Sequence, residues 1–477
     1  MREETTRSSQ KQVFAIETLV GGVFLLLSIL VITFVSPIYV FAAIGILVAG
    51  LVALYFAFSL RKFVWFLLIT KPLLDLTWRW RFFTVAEQGV NFQTILGVLV
   101  IIVTALALFF RRKQLIVDIK LVLFLACASF SVLLTPTSWG INELVRLLAG
   151  VSFFFTVGVV LSRKDSFNRF AKYFVLTVSV PVILSFLQQA KILPFEYWDW
   201  IGSTMIGRVS GTYQHPLGLI YFLVYAVPLA LYLLTKGSQP LRYRLLLWLF
   251  IGLSLVALTF TYHRAGLVVI GLEIWLWMIL TKKYGRATLL IVLGCLLFVW
   301  QKDSLLLLYE NVFDILQGRV AFSDDEFLRG RGMNWYLFLD SLFSSHPLFW
   351  LIGRGGSVVE GFVPKFGYWS SNEPHNDFIR ILHAYGLVGL GLYLTILVSF
   401  FWQSLYLRRR QDVFSRDLGN LMIIILVAIV LLSITTEPMR YPTGVWYLFA
   451  IGSVVSVQYR QLRRTHKENR DGSQELL

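Results

Sequence analysis

Long apolar runs, separated by short polar segments, dominate this chain. A helix needs roughly 20 apolar residues to cross the hydrocarbon core of a bilayer, and fourteen stretches approach or exceed that length. They lie at residues 14–35, 38–60, 63–78, 92–110, 118–135, 141–161, 170–189, 216–235, 245–262, 265–281, 287–301, 384–406, 418–436 and 443–458. The pattern predicts an all-α polytopic membrane protein with about 12 to 14 transmembrane helices.

Composition indicates the same class. Hydrophobic residues make up 57% of the 477 and the mean hydropathy is +0.71, whereas soluble domains are about 45 to 50% apolar. The third stretch contains Lys71, Pro72 and Asp75, which indicates a broken or re-entrant helix. Cys127 and Cys295 lie inside apolar runs, so we expect buried small hydrophobes rather than a disulfide or a metal site.

Basic residues determine the predicted orientation. The chain carries 43 Lys and Arg and a net charge of +16, and cytoplasmic loops of membrane proteins are enriched in these residues. Placing both termini in the cytoplasm puts the main basic segments on that side: 61–62, 111–113, 163–164, 282–283, 408–410 and 460–470. Because the positive charge is spread over many short loops, it reflects topology and does not indicate a nucleic-acid partner.

This orientation divides the chain into four parts. Residues 1–301 are an N-terminal bundle of about 11 spans, 302–383 a large extracytoplasmic loop that we expect to be catalytic, 384–458 the last transmembrane helices, and 459–477 a basic cytoplasmic tail. No cytoplasmic loop is long enough for a nucleotide-binding domain, and no Gly-rich loop ends in Gly-Lys-Ser or Gly-Lys-Thr. A transport ATPase is therefore excluded.

Two outer segments place an arginine at the edge of a span. Arg208 lies in the segment 207–216, and Arg264 lies in the tight turn 261–266. Arginine at this depth is costly unless it is paired or reaches water, and a guanidinium binds phosphate oxygens in bidentate geometry. Two such arginines on one face would suit a diphosphate. Taken singly, each is equally well explained as an anchor to lipid headgroups.

The large outer loop contains the richest polar segment. Asn376 precedes an apolar pattern that predicts a short amphipathic helix, with Asn376 capping free amides that favour an anion. His375, at this helix start, has the side chain needed to take a proton from an attacking hydroxyl. The alternative is a loop histidine that only hydrogen-bonds to backbone. Arg354 lies in a Gly-rich segment, 353–357, that suggests an amide nest for phosphate.

A set of motifs then follows in order between about residues 200 and 400. Its members are Arg208 and Gly211, Arg264 and Gly266, Arg331 and Trp335, Pro347, Gly353 and Gly355, then His375 and Asn376 ahead of Gly386 and Gly389. In this order they resemble the O-antigen ligase and Wzy O-antigen polymerase family, most strongly from Arg331 to Gly389.

That resemblance implies a metal-independent, cofactor-free membrane glycosyltransferase of the GT-C type. Members of the family take a glycan from undecaprenyl diphosphate at the outer face of the bacterial cytoplasmic membrane and pass it, with inversion, to an acceptor hydroxyl. On this sequence Arg208 and Arg264 match the essential arginines expected to hold the diphosphate, and His375 matches the candidate base. Further substrate-binding side chains are expected at Arg331, Arg354 and Asn376.

The partners implied are the lipid-linked glycan donor, a glycan or lipid acceptor and the bilayer, with a flippase and a chain-length regulator as candidates. The sequence leaves ligase and polymerase open, and we favour a polymerase or general polysaccharide role. One departure from the family is His263, where relatives often have serine, because it adds a rival titratable group beside Arg264.

A membrane transporter, of the bicarbonate type described for some relatives, is the alternative function. A transporter is expected to carry charged residues at mid-membrane on broken helices. Only Arg146 and the segment 71–75 meet that description in the sequence. Most outer-side charge lies at the membrane edge, which favours surface chemistry over passage.

Overall fold

The structure, a computed structural model, covers most of the helical bundle. It describes residues 52, 55–56, 59–74, 81–85, 88–111, 115, 117–195, 197–201, 204–213, 215–236, 239–285, 288, 331–356 and 373–474. The span predicted at 14–35, the span at 287–301 apart from residue 288, most of 38–60, the end of 63–78 with Asp75, and the loop residues 302–330 and 357–372 lie outside the described residues.

The described residues form α-helices, one 3-10 helix (Pro438–Arg440) and two short β-hairpins. The helices are α1 (Leu60–Leu74), α2 (Phe92–Arg111), α3 (Ile119–Leu134), α4 (Ser138–Leu161), α5 (Lys164–Gln189), α6 (Pro216–Leu234), α7 (Leu241–Phe260), α8 (Arg264–Leu280), α9 (Arg331–Phe343), α10 (Pro347–Ile352), α11 (Asp377–Arg408), α12 (Val413–Thr435) and α13 (Pro442–Gln474). The hairpins pair β1 (Arg81–Val85) with β2 (Gln88–Asn91), and β3 (Tyr197–Ile201) with β4 (Thr204–Arg208), both antiparallel.

Several of these helices have the length and composition of membrane spans. Six in the described part qualify: Gly140–Leu161, Lys164–Gln189, Pro216–Leu234, Leu241–Phe260, Asp377–Arg408 and Val413–Thr435. Thr94–Phe110 and Ile119–Leu134 are apolar but shorter. Helices satisfy their backbone hydrogen bonds internally, as a bilayer requires. The protein is therefore an all-α polytopic membrane protein, as the hydropathy pattern predicts.

Helix α6 lies at the centre of the bundle. It is apolar around its whole circumference, and its residues from Pro216 to Leu233 are all buried. A helix without a polar face is stable only when other helices or lipid surround it. Here α5, α7, α8, α12 and α13 pack around it.

Small residues bring α4 and α13 together. A Cβ at Gly150 would lie 2.3 Å from a Val445 methyl group, and one at Gly158 would lie 2.2 Å from Ser453 Oγ. Ser453 Oγ donates across the interface to the Phe154 carbonyl at 2.5 Å. Close contact through small residues with an interhelical hydrogen bond is how helices associate in membranes.

Polar contacts mark the two ends of the bundle. At one end, the start of α4 and the end of α12 meet residues 373–380 and the 3-10 helix; we call this the site end. At the opposite end, Lys236 pairs with Asp417 at 3.0 Å and Arg460 with Asp118 at 3.7 Å.

The structure changes some predicted boundaries. Helix α1 continues through Lys71 and Pro72 to Leu74, with Lys71 buried, so the described part of the third span is unbroken. Helix α11 begins at Asp377 rather than 384, and α13 extends to Gln474, well into the predicted tail. The described part of the loop predicted at 302–383 contains α9 and α10. The sequence pattern did not indicate the hairpins.

Candidate functional site

Arg208 is held at the end of β4 against the end of α7. Its Nε donates to the Thr261 carbonyl at 2.8 Å, and the Val209 amide donates to the Phe260 carbonyl at 3.2 Å. The guanidinium lies over the Tyr197 ring, 5.5 Å from its centre, and the side chain is buried. The two arginine-bearing segments predicted from the sequence, 207–216 and 261–266, are therefore in direct contact.

The turn after α7 places Arg264 as the first residue of α8. Tyr262 has a positive φ of 51°, which lets the chain reverse direction, and His263 caps α8 by accepting the Gly266 amide on Nδ1 at 3.1 Å. Gly266 packs closely on α6, since a Cβ there would lie 2.9 Å from an Ile220 carbon. Arg264 is half-buried.

Burial and neighbouring positive charges lower the pKa of His263. Burial and then the charges of Arg208, Arg331 and His215 lower the pKa of His263 to about 3. The imidazole is therefore neutral at pH 7, and its Nδ1 is occupied as a helix cap. His263 therefore caps α8 through Nδ1. Arg208 and Arg331 thus both act electrostatically on His263.

His375 occupies a strained and firmly held position. Its φ of 51° is in the left-handed region, which is uncommon for residues other than glycine. Its amide donates to Glu437 Oε1 at 2.8 Å, and Trp335 Nε1 donates to the Pro374 carbonyl at 2.7 Å. Strained backbone of this kind persists where surrounding contacts fix it. Residues from two other parts of the chain fix this loop.

Arg440 connects the same loop to the end of α12. Its guanidinium forms ion pairs with Glu373 and, at 3.4 Å, with Glu437. Burial raises the pKa of Glu437 to about 7 despite the charges of Arg440 and Arg380. Burial also acts to raise the pKa of Glu373, but the hydrogen bond and charge of Arg440 lower it below its ordinary value.

Glu373, Glu437 and Arg440 were not predicted from the sequence. The available signal was in the short segment 437–442, between two apolar spans, where Glu437 and Arg440 are three residues apart and two prolines adjoin them. Nothing in that spacing shows that Glu437 contacts the backbone of a residue 62 positions earlier.

The electrostatics of His375 favour a neutral imidazole. Burial and then the charge of Arg331 lower its pKa to about 4, with Glu373 acting in the opposite direction and Arg440 in the same one. At pH 7 the ring is unprotonated, which is the form that accepts a proton. Arg331 and His375, both predicted from the sequence, are thus brought together.

Glu373, His375 and Glu437 also have the spacing of a metal site. Each offers one ligand atom, and these atoms lie within 4.8 Å of one another. Arg440 already pairs with both carboxylates, so a fixed guanidinium supplies the positive charge that a metal ion would bring. A divalent cation at this position would have to compete with Arg440 for both carboxylates.

Asn376 caps the start of α11, as predicted. Its Oδ1 accepts the amides of Phe378 at 2.9 Å and Ile379 at 3.1 Å, while its Nδ2 donates to the Ile434 carbonyl at 3.2 Å. The predicted helix start is confirmed. A substrate contact would compete with these bonds, and the substrate-binding role remains a prediction.

A buried ion-pair network lies one turn below. Arg380 pairs with Asp377 at 3.0 Å and with Glu143 of α4 at 2.5 Å. The other Asp377 oxygen accepts from Ser433 Oγ at 3.1 Å and from the Met439 amide at 2.9 Å. These contacts fix α4, α11, α12 and the 3-10 helix relative to one another.

A kink at Gly386 interrupts α11 after the short helix predicted from the sequence. Gly386 has φ 68° and ψ −171°, so the carbonyls before it lose their helical partners. The His383 carbonyl accepts from the Arg354 amide and the Ala384 carbonyl from the Gly355 amide, both at 2.9 Å. The backbone after α10 thus completes the hydrogen bonding of the kink, as a broken helix in a membrane protein requires.

This pairing corrects the expectation for the segment 353–357. The amides of Arg354 and Gly355 are occupied by helix carbonyls, so the predicted phosphate nest is wrong for these two groups. The Arg354 guanidinium is exposed and donates to Ser341, at 2.8 Å to Oγ. None of the contacts described for Arg354 is with His375 or its loop, and its role in binding substrate remains a prediction.

Comparison with known proteins agrees with the motifs. Residues 249–394 match the family model described as O-antigen ligase, Wzy_C. No curated protein matches the chain. The match includes Arg264, Arg331, Arg354, His375 and Asn376, and Arg208 lies before it. Residues 249–394 are therefore similar to the O-antigen ligase family, in agreement with the motifs that the sequence places between Arg264 and Asn376.

Proposed function

We propose that this protein is a metal-independent, inverting glycosyltransferase of the GT-C type that moves a glycan from undecaprenyl diphosphate to an acceptor hydroxyl. It would act at the outer face of the bacterial cytoplasmic membrane, with both termini in the cytoplasm. The family match supports an O-antigen ligase or polymerase type of membrane enzyme. The lipid-diphosphate donor and the stereochemistry belong to the proposal.

The observation that carries the proposal is the convergence of arginines and a neutral histidine at the site end. Arg208 contacts the turn that carries Arg264, and the charge of Arg331 acts on both His263 and His375. Guanidinium groups suit phosphate oxygens. Cations that meet the developing charge of a leaving diphosphate stabilise the transition state without a divalent ion.

The proposed reaction is a single displacement. A ring nitrogen of His375 takes the proton of the acceptor hydroxyl while the hydroxyl oxygen bonds to the anomeric carbon. The bond from that carbon to the phosphate oxygen breaks, and the undecaprenyl diphosphate leaves with the electron pair. Because Arg331 lowers the pKa of His375, a bound diphosphate beside Arg331 would offset this charge and strengthen the base.

A polymerase that extends a surface polysaccharide is the form we favour, with O-antigen ligation to a lipid acceptor as its counterpart. Both use the same donor and the same displacement. The product separates them, because a polymerase makes longer lipid-linked glycan and a ligase makes a new acceptor conjugate.

The test is glycan transfer from a purified undecaprenyl-diphosphate donor in nanodiscs with a chelator present. Wild-type protein is expected to transfer glycan, and Arg264→Ala and His375→Ala to lose transfer while remaining folded. Arg242→Ala removes an exposed arginine from the opposite end and serves as the matched control. Activity that disappears with chelator would refute metal independence, and full activity in both site variants would refute the assigned roles.

A transporter is the second candidate because the structure supplies one feature that it requires. Helix α11 is broken at Gly386, and the charged residues Asp377 and Arg380 lie buried before the break. Their charges are engaged with one another and with Glu143, which favours a structural role. Uptake of labelled bicarbonate into proteoliposomes, in a protein inert toward lipid-linked glycans, would favour the transporter.

A further inference from the structure

A cavity of about 390 Å³, open to the surface, lies at the opposite end of the bundle, between α1, α4 and α5. It is lined by Leu60, Arg61, Val159, Val160, Arg163, Asp165, Ser166 and Arg169. Its volume is within the range of small-ligand pockets, about 300 to 1,000 Å³. None of these residues takes part in the site described above.

The lining has an excess of positive charge. Three arginines and one aspartate leave a net charge of two positive units. Arg169 Nε donates to the Asp165 backbone carbonyl at 3.4 Å, which directs that side chain along the first turn of α5. Among the described residues, no partner forms a side-chain hydrogen bond or ion pair with Arg61 or Arg163.

The cavity also adjoins an open helix N-terminus. Arg163 is the N-cap of α5, and its side chain makes no capping hydrogen bond to the first amides of that helix. Ser166, in the first turn, lines the cavity. Backbone amides at a helix start favour an anion and add to the guanidinium groups around it. Asp165 opposes this attraction, and three arginines outnumber it.

The position of the cavity favours a lipid over other anionic ligands. It lies where two membrane-spanning helices, α4 and α5, end and begin, which is the level of the lipid headgroups. Leu60, Val159 and Val160 give it an apolar part beside the arginines. Basic pockets between transmembrane helices are known to suit anionic headgroups.

We infer that this cavity binds the phosphate headgroup of an anionic phospholipid. Arg61, Arg163 and Arg169 contact the phosphate, and the apolar residues contact the start of the acyl chains. Occupation joins α1 to the α4–α5 turn at the end of the bundle farthest from the transfer site. The inference does not depend on the proposed glycosyltransferase activity.

Native mass spectrometry of the full chain, titrated with phosphatidylglycerol or phosphatidylcholine, tests this inference. Wild-type protein is expected to bind one phosphatidylglycerol saturably and in preference to phosphatidylcholine. The triple variant Arg61→Gln, Arg163→Gln, Arg169→Gln should bind it more weakly, on the order of a hundredfold, since each basic residue near a membrane surface contributes to anionic-lipid affinity. A control triple variant, Arg242→Gln, Arg244→Gln, Arg409→Gln, removes the same charge from exposed positions at the same end and should bind as wild type does.

A second variant keeps the test independent of folding in the triple variant. Val160→Trp fills the cavity while retaining every arginine, and it should also weaken binding. Equal losses in the cavity and control triple variants would show general charge attraction and overturn the inference. Equal affinity for phosphatidylcholine would also overturn it. So would competition by inorganic phosphate at concentrations similar to those of the lipid, which would show a free-anion site.

Discussion

Two clusters at the site end have the same composition, one arginine between two carboxylates. The first is Arg380 with Asp377 and Glu143, and the second is Arg440 with Glu373 and Glu437. They differ in exposure, since the side chain of Arg380 is 4% exposed, whereas those of Arg440 and Glu373 are 16% and 33% exposed. The Arg380 cluster is therefore buried in the bundle, whereas the Arg440 cluster lies at the edge of the candidate site.

The difference lies in what each cluster holds. The first connects α4 to α11, and Asp377 also bonds to α12 and the 3-10 helix. The second cluster is hydrogen-bonded to the His375 loop, because Glu437 accepts a hydrogen bond from the His375 amide. The first cluster should therefore determine stability, and the second should determine activity in a protein that remains folded.

Arg380→Met should give the largest effect on stability. The variant leaves two buried carboxylates without their cation, and breaking a buried pair in this way costs about 3 to 5 kcal/mol. We expect a lower Tm in detergent and a poor yield of folded protein. Arg416→Met, which removes an exposed arginine 4.0 Å from its carboxylate, should leave Tm almost unchanged. Equal Tm values for the two variants would contradict the assignment.

Among variants of the two clusters, Glu437→Leu should give the largest effect on transfer with the fold retained. It removes both the acceptor of the His375 amide and one partner of Arg440. Displacement of a catalytic group by about 1 Å can cost about a hundredfold in rate, and a loss of that order is expected. Glu437→Gln keeps an acceptor oxygen but no charge, and should be intermediate.

The control for these variants is Glu468→Gln, at an exposed carboxylate of α13. It should match wild type in transfer and in Tm. If Glu437→Leu lowers Tm as much as Arg380→Met does, the two clusters do not differ in function and the comparison fails.

The pH dependence of the two properties should have opposite signs at Glu437. Its pKa, raised by burial to about 7, means that the ionised form is lost as pH falls below 7, so transfer should fall from pH 8 to pH 6. For stability, a raised carboxyl pKa gives a contribution that is complete below the ordinary value and lost as pH rises through about 7. Glu437→Gln should remove both dependences, and an unaltered acid limb in that variant would assign the limb to another group.

The parts of this structure that depend on local sequence pattern or on family motifs were predictable from the sequence. Hydropathy predicted the helical membrane fold, and Asn376 was predicted as the start of a helix. Arg264 and His375 were selected because their order resembles a family whose domain matches here. Each of these features is visible in a few consecutive residues or in their order.

The remainder depends on contacts between distant parts of the chain. Glu437 and His375 are 62 residues apart. Gly386 is one of several neighbouring glycines, and the sequence does not show which of them will adopt a positive φ. The amides of Arg354 and Gly355 were predicted to bind phosphate because the sequence does not show the kink in α11, whose carbonyls accept hydrogen bonds from both amides. Hairpin β3–β4 was missed because its apolar residues lie beside a long run of spans.

The smallest predicted effect concerns the other side of the His375 loop. Trp335→Phe removes only the indole donor to the Pro374 carbonyl, and one such hydrogen bond contributes about 1 kcal/mol. We expect transfer to fall about fivefold, as that energy implies. Trp350→Phe removes a comparable bond, to the Ser345 carbonyl at 3.2 Å, which does not hold this loop. Single-turnover transfer should therefore be lower for Trp335→Phe than for Trp350→Phe at similar Tm. Equal rates would mean that Glu437 and Arg440 alone are sufficient to position His375.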